Sequence, residues 1–227
     1  MLKALQKSYP IASAIYIEHK KIAYPRIVIK ADLSLFVRVP LHFSHAQIES
    51  FIYAYHKWIE STLHKLHTRH LALQSTLCIH YHQIPIFGVW QDINALFDTL
   101  RTPQRQLKDM LSAYIMPKVA EYAALMSLTY HSIKITSATS RFGSCTYDNR
   151  LFFSLMLIFA PKHLIDYVII HELAHITHKN HSRDFWHLVH SFCPNAKSLR
   201  SSLRQEARIY PFNLQKIADF TSPYQQN

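Results

Sequence analysis

Two glycines, Gly88 and Gly143, serve the whole 227-residue chain, where the usual share of roughly 7% would supply about sixteen. Every fold that cradles phosphate or calcium on a glycine-rich loop is thereby excluded. There is no G-x-G-x-x-G, no Walker loop and no calcium loop with its turn glycine.

Size and charge narrow the field further. The length suits one generous domain or two small ones with an ordinary core. Three widely separated cysteines, Cys78, Cys145 and Cys193, point to reduced thiols rather than a disulfide frame, hence to a cytoplasmic protein. The longest apolar stretch, 151–160, ends at Pro161-Lys162, far short of the roughly 20 residues that cross a bilayer. Polar residues 6–10 occupy the place of a signal peptide's apolar region, so no secretion and no membrane partner are expected. A formal charge of +11 invites an anionic partner. The basic residues are scattered, however, so nucleic acid has no clear patch to bind.

Period-2 patterning predicts strands at 14–18, 26–30 and 33–39, an antiparallel sheet. Ser44 with Gln47 forms a capping box for a helix reaching about His67. A hairpin is expected from 76–81 and 84–89, with Gly88 in its second strand, and a linker over 90–101. Thr102-Pro103 opens a long helix that Pro117 should kink. Strands at 132–137 and from Leu151 flank Arg141-Phe142-Gly143-Ser144-Cys145. Pro161 starts a helix running into His171-Glu172-Leu173-Ala174-His175, and two shorter helices, capped by Ser182 and Asn195, precede a polar tail. The expectation is α+β: an N-terminal antiparallel β region with one helix over 1–101, and a second domain over 102–227 built around the helix that follows Pro161.

His171 and His175 lie one helical turn apart, so both imidazoles project from one face and can close on one ion, with Glu172 rotated toward a water on that ion. This is the H-E-x-x-H zinc signature. With 17 histidines and 6 glutamates in the chain, chance would produce it roughly 0.03 times. A catalytic zinc takes three protein ligands. His181 is the favoured third, with Asn180 supplying a left-handed turn back toward the helix; Glu206, His178 and Asp184 are the alternatives. The spacing to His181 is that of the metzincins, yet the last methionine is Met156, upstream of the motif, so a Met-turn is impossible. One zinc per chain is expected. Such an ion acidifies its water, and Glu172 acts as general base in attack on a carbonyl. Asp166, Asp184 and Glu206 are the acids available to orient the histidines.

The run 167–175, with Asn180-His181-Ser182 and Phe185-Trp186 after it, resembles the YgjP-like metallopeptidase family of zincin-type metal hydrolases, related to the WLM and SprT-like proteins. Residues 141–145 resemble that family's R-W-G-S-C segment, and Pro161 the proline before its zinc helix; a weaker likeness extends to the N-terminal strands and Lys57-Trp58-Ile59. Phe142 stands where the family carries Trp, and Ser154 where it tends to carry Asn. The resemblance implies a zincin-like fold and a peptide substrate. It also brings a second reading, a nucleoside triphosphate (UTP-type) pyrophosphatase at the same site, which the basic charge and an Arg200, Arg204, Arg208 stripe would suit. A third is a DNA-associated metal-binding module, against which Glu172 argues, since a structural zinc needs no general base.

Arg141, Gly143 and Ser144 are candidate substrate-binding residues beside the zinc helix. A bulge glycine and a structural arginine are the plainer explanation. Cys145 reads as a small buried residue, and the histidines at 56, 64, 67 and 70 as exposed helix positions.

Overall fold

A computed structural model describes residues 2–98 and 100–220. The chain divides into two compact units, 1–79 and 80–227. The division falls earlier than residue 101 because the strands after it, β4 (Gln83–Ile86) and β5 (Val89–Asp92), bury Ile84 and Ile86 in the core of the second unit.

In the first unit, α1 (Leu2–Ser8) precedes β1 (Ala14–Lys20), β2 (Arg26–Ile29) and β3 (Ser34–Pro40). The sheet is mixed, not antiparallel: its order is β1-β3-β2, with β1 parallel and β2 antiparallel to β3. Leu35, Val37 and Val39 of β3 are almost wholly buried, which suits the central place, while β2 is short and follows Pro25, which suits an edge. Alternation within each strand cannot reveal which neighbour it chooses. One face packs on α2 (His45–Ala54) and α3 (His56–Ile79) through Ile48, Ile52, Ile59 and Leu63. The capping box forms as expected, Ser44 Oγ accepting from Gln47 N and Gln47 Oε1 from Ser44 N. Helix α3 runs to Ile79, so no strand exists at 76–81. Its threonines are absorbed into the helix, Thr68 donating to the His64 carbonyl and Thr76 to that of Ala72.

In the second unit the hairpin turns at Phe87-Gly88, both with positive φ (51° and 82°), the combination a type I′ turn requires. Gly88 therefore belongs to the turn and not to a strand. The expected linker holds β5 and the short α4 (Ile93–Leu96). Helix α5 (Pro103–Leu125) continues through Pro117. The second sheet, β6 (Ser132–Thr136), β7 (Gly143–Cys145) and β8 (Arg150–Ser154), repeats the arrangement of the first: order β6-β8-β7, with β6 parallel and β7 antiparallel to β8. A 3-10 turn at Leu155–Phe159 follows, wholly buried. Helix α6 (Lys162–Thr177) is apolar almost all round and packs against α5, β7, α7 (Arg183–Phe192) and α8 (Ala196–Glu206). Residues 210–220, expected as a polar tail, form α9 (Tyr210–Phe220), which buries Tyr210, Asn213 and Ile217. Mixed helices and small sheets make the fold α+β. No helix of the described residues is long and apolar enough to cross a membrane.

Candidate metal centre

His171 and His175 stand on the last two turns of α6, and His181 enters from the segment leading into α7. One ligand atom from each lies within 4.8 Å of the others; the Nε2 atoms of His171 and His181 are 3.1 Å apart. Neither Glu206 nor His178 joins this group. The expected left-handed turn at Asn180 is not used, since the positive-φ residues among those described are Leu33, Phe87, Gly88, Ser127 and Asn149. Instead the helix ends at His178 in extended conformation, and Asn180 Oδ1 accepts from Ser182 N. Lys179 fixes the excursion from outside. Its ammonium donates to the Thr146 carbonyl (3.0 Å) and Asn149 Oδ1 (2.8 Å), tying the segment before His181 to the β7–β8 turn.

The rings are held by packing. Phe185, fully buried on α7, touches all three, with centroid separations of 4.9, 4.5 and 4.8 Å to His171, His175 and His181. Trp186 stacks on His181, and Arg200 lies 5.3 Å from the Trp186 ring centre. His175 Nδ1 lies 2.9 Å from the His178 carbonyl. A carbonyl only accepts, so Nδ1 carries the proton and Nε2 offers its lone pair to the centre. None of the three proposed acids orients a histidine; Asp166 accepts the Tyr114 hydroxyl instead. Burial, then the neighbouring His175 and His181, hold His171 down to about 3, and burial also lowers His175. Neutral imidazoles converging on one point are the donor set a divalent metal takes.

Glu172, on the same turn of α6 as His171 and His175, meets β7. It is 5% exposed, and burial pushes its carboxyl up to about 8, with Arg141 pulling in the opposite direction. A Cβ on Gly143 would sit 2.6 Å from both Cγ and Oε1 of Glu172. Gly143 is thus the residue that lets strand and carboxylate meet. Alternation puts Ser144 on the face of β7 opposite the one that meets Glu172. Arg141 is exposed. Cys145 is half-buried, its thiol raised by desolvation, within 3.8 Å of Lys179 Nζ. Ser154, at the position where the family tends to carry Asn, donates to the Ala138 carbonyl and accepts from Met156 N.

The sequence profile of the YgjP-like metallopeptidase domain matches residues 23–102 and 98–206. The chain belongs to the YgjP-like family. No curated protein and no solved structure matches it significantly. Membership supports a metal-dependent hydrolase, and a YgjP-like chain with this histidine group has a place for the divalent metal the family implies. Phe185 and Lys179 were not singled out for these roles by the motif alone. An apolar residue inside a helix and an exposed lysine carry no local sign of what they hold.

Proposed function

We infer that the chain is a zinc peptidase with the zincin arrangement, in which His171, His175 and His181 hold the metal and Glu172 is the general base. The observation that carries this reading is the convergence of three imidazoles, two of them held down by burial, beside a buried carboxylate. When bound, the metal supplies a Lewis acid for the scissile carbonyl, acidifies water and favours ionised Glu172. Glu172 accepts the proton of the attacking water and returns it to the leaving nitrogen. Held against Gly143 by α6, the carboxylate has little freedom to leave that position.

The peptide reading draws on β7. That strand pairs with β8 alone among the described strands, so its other edge can take an extended peptide in main-chain pairing, next to Glu172. The phosphoanhydride reading loses one support: Arg208 lies in the turn beyond α8, so the three arginines do not share one helix.

Glu172→Gln should retain about one zinc per chain by elemental analysis and lose roughly 10²–10⁴-fold in turnover on casein-derived peptides. Undiminished hydrolysis sinks the mechanism. If only hydrolysis of a nucleoside triphosphate panel disappears in the variant, the peptide assignment is wrong.

A further inference from the structure

The sheet of the first unit has a second face, which α2 and α3 do not cover. Register fixes its occupants. Leu35, Val37 and Val39 of β3 point to the core, so Phe36 and Arg38 point away; their partners Tyr16 and Glu18 on β1, and Val28 and Arg26 on β2, share that face. Lys20 follows in the same alternation, and Lys30 reaches back over it, its ammonium 4.2 Å from the Phe36 ring centre.

Two features distinguish this face from an ordinary solvated one. Tyr16 and Phe36 stack with centroids 4.7 Å apart and planes 17° off parallel. Lys30 stands on Phe36, and Tyr16 remains 48% exposed, so the stack stays open to a further planar group at Tyr16. The second feature is charge. Lys20, Arg26, Lys30 and Arg38 surround the stack. Glu18 is the carboxylate among them, engaged by Arg38 at 2.9 Å and by Lys20 at 3.7 Å, which leaves Arg26 and Lys30 as the basic groups it does not pair with. Asp32 lies in the β2–β3 turn, where it accepts from Ser34. The unit as a whole has ten Lys and Arg against four Asp and Glu in residues 1–79, net +6. An acidic protein would answer the charge and leave the open stack unused. A polymer carrying both planar bases and phosphates uses both.

We propose that the exposed face of the N-terminal sheet binds single-stranded nucleic acid, with a base stacking on Tyr16 and phosphates meeting Arg26 and Lys30. This surface uses no residue of the metal centre, so it stands or falls independently of the proposed peptidase activity.

The test is fluorescence anisotropy of a labelled 15-nucleotide oligo-dT and oligo-U with the full chain, across a salt series. Binding should weaken steeply with salt. Tyr16→Ala should raise Kd on the order of tenfold through the missing stacking, while Arg26→Glu with Lys30→Glu should reduce the salt slope by roughly 0.7 for each phosphate no longer neutralised. Arg26 and Lys30 are exposed, so the double variant tests the surface even if Tyr16→Ala loosens the fold, which circular dichroism will show. Glu172→Gln should bind as wild type. Absence of oligonucleotide binding overturns the proposal. So does binding untouched by the double variant, or a duplex or inorganic polyphosphate that binds as tightly as the single strand.

Discussion

Gly143→Ala is the sharpest perturbation of the centre. The backbone there needs no positive φ, so conformational strain is not the issue; contact is. The added methyl would meet Glu172 Cγ and Oε1 at 2.6 Å and Cδ at 2.8 Å, whereas ordinary contact begins near 3.4 Å. The carboxyl must therefore withdraw by about 0.8 Å (3.4 less 2.6). Swinging the far end alone does not relieve the collision, because Cγ is struck too, and α6 is locked in the core by Ile169, Ile170 and Leu173. Overpacking of this kind costs about 1–3 kcal/mol, or roughly 2–4 °C in Tm per kcal/mol for a unit of this size. A displacement near 1 Å at a catalytic group costs about 10²-fold in rate. Glu172 is not one of the three grouped side chains, so zinc content should stay at wild-type level while Tm falls by several degrees and peptide turnover by about two orders of magnitude. Elemental analysis, thermal unfolding and a peptide assay read the three quantities. A Gly143→Ala protein with wild-type Tm and turnover refutes the close approach of strand and carboxylate. Loss of zinc in step with activity refutes the separation of Glu172 from the ligands.

Other expectations follow from the same packing. Phe185→Leu keeps an apolar residue but removes the ring that backs the three histidines, and should weaken zinc affinity about tenfold in a competition titration with a chelating dye, with helix content unchanged. In chelator-treated protein, Glu172 holds its proton up to about pH 8 when folded, against an ordinary value of 4.5; the unfolded chain releases it first, so stability should fall as pH rises from about 4.5 to about 8, and Glu172→Gln should flatten that slope in urea unfolding. Gly88→Ala, at φ 82° with Pro161 Cγ 2.8 Å from the new methyl, should destabilise by more than about 1 kcal/mol in thermal melts, with the metal centre intact.

Much of this fold was legible along the chain where the signal was local. The Ser44–Gln47 capping box and the strands expected from 14, 26, 132 and 151 are encoded within a few residues, and each appears, the last beginning one residue earlier at Arg150. Short ambiguous segments went the other way. The alternation at 76–81 is compatible with a helix end, and α3 takes it; the sparse apolar positions after Tyr210 belong to a helix whose buried face is visible only against the core it covers. Sheet order was equally closed to view, since parallel pairing of β1 with β3 joins segments about twenty residues apart.

By itself the sequence determined the helix bearing His171 and His175, because a spacing of four residues fixes both side chains on one face whatever surrounds them. It also determined the absence of any glycine-built phosphate cradle. Tertiary structure decided that His181, and not Glu206 or His178, closes the group, because the return of the chain depends on Lys179 bridging to the β7–β8 turn and on Phe185 backing all three rings. It also decided the use of the two glycines. One turns the β4–β5 hairpin against Pro161, and the other admits Glu172 to the strand; both needs arise from residues about thirty or more positions away, which no local pattern records.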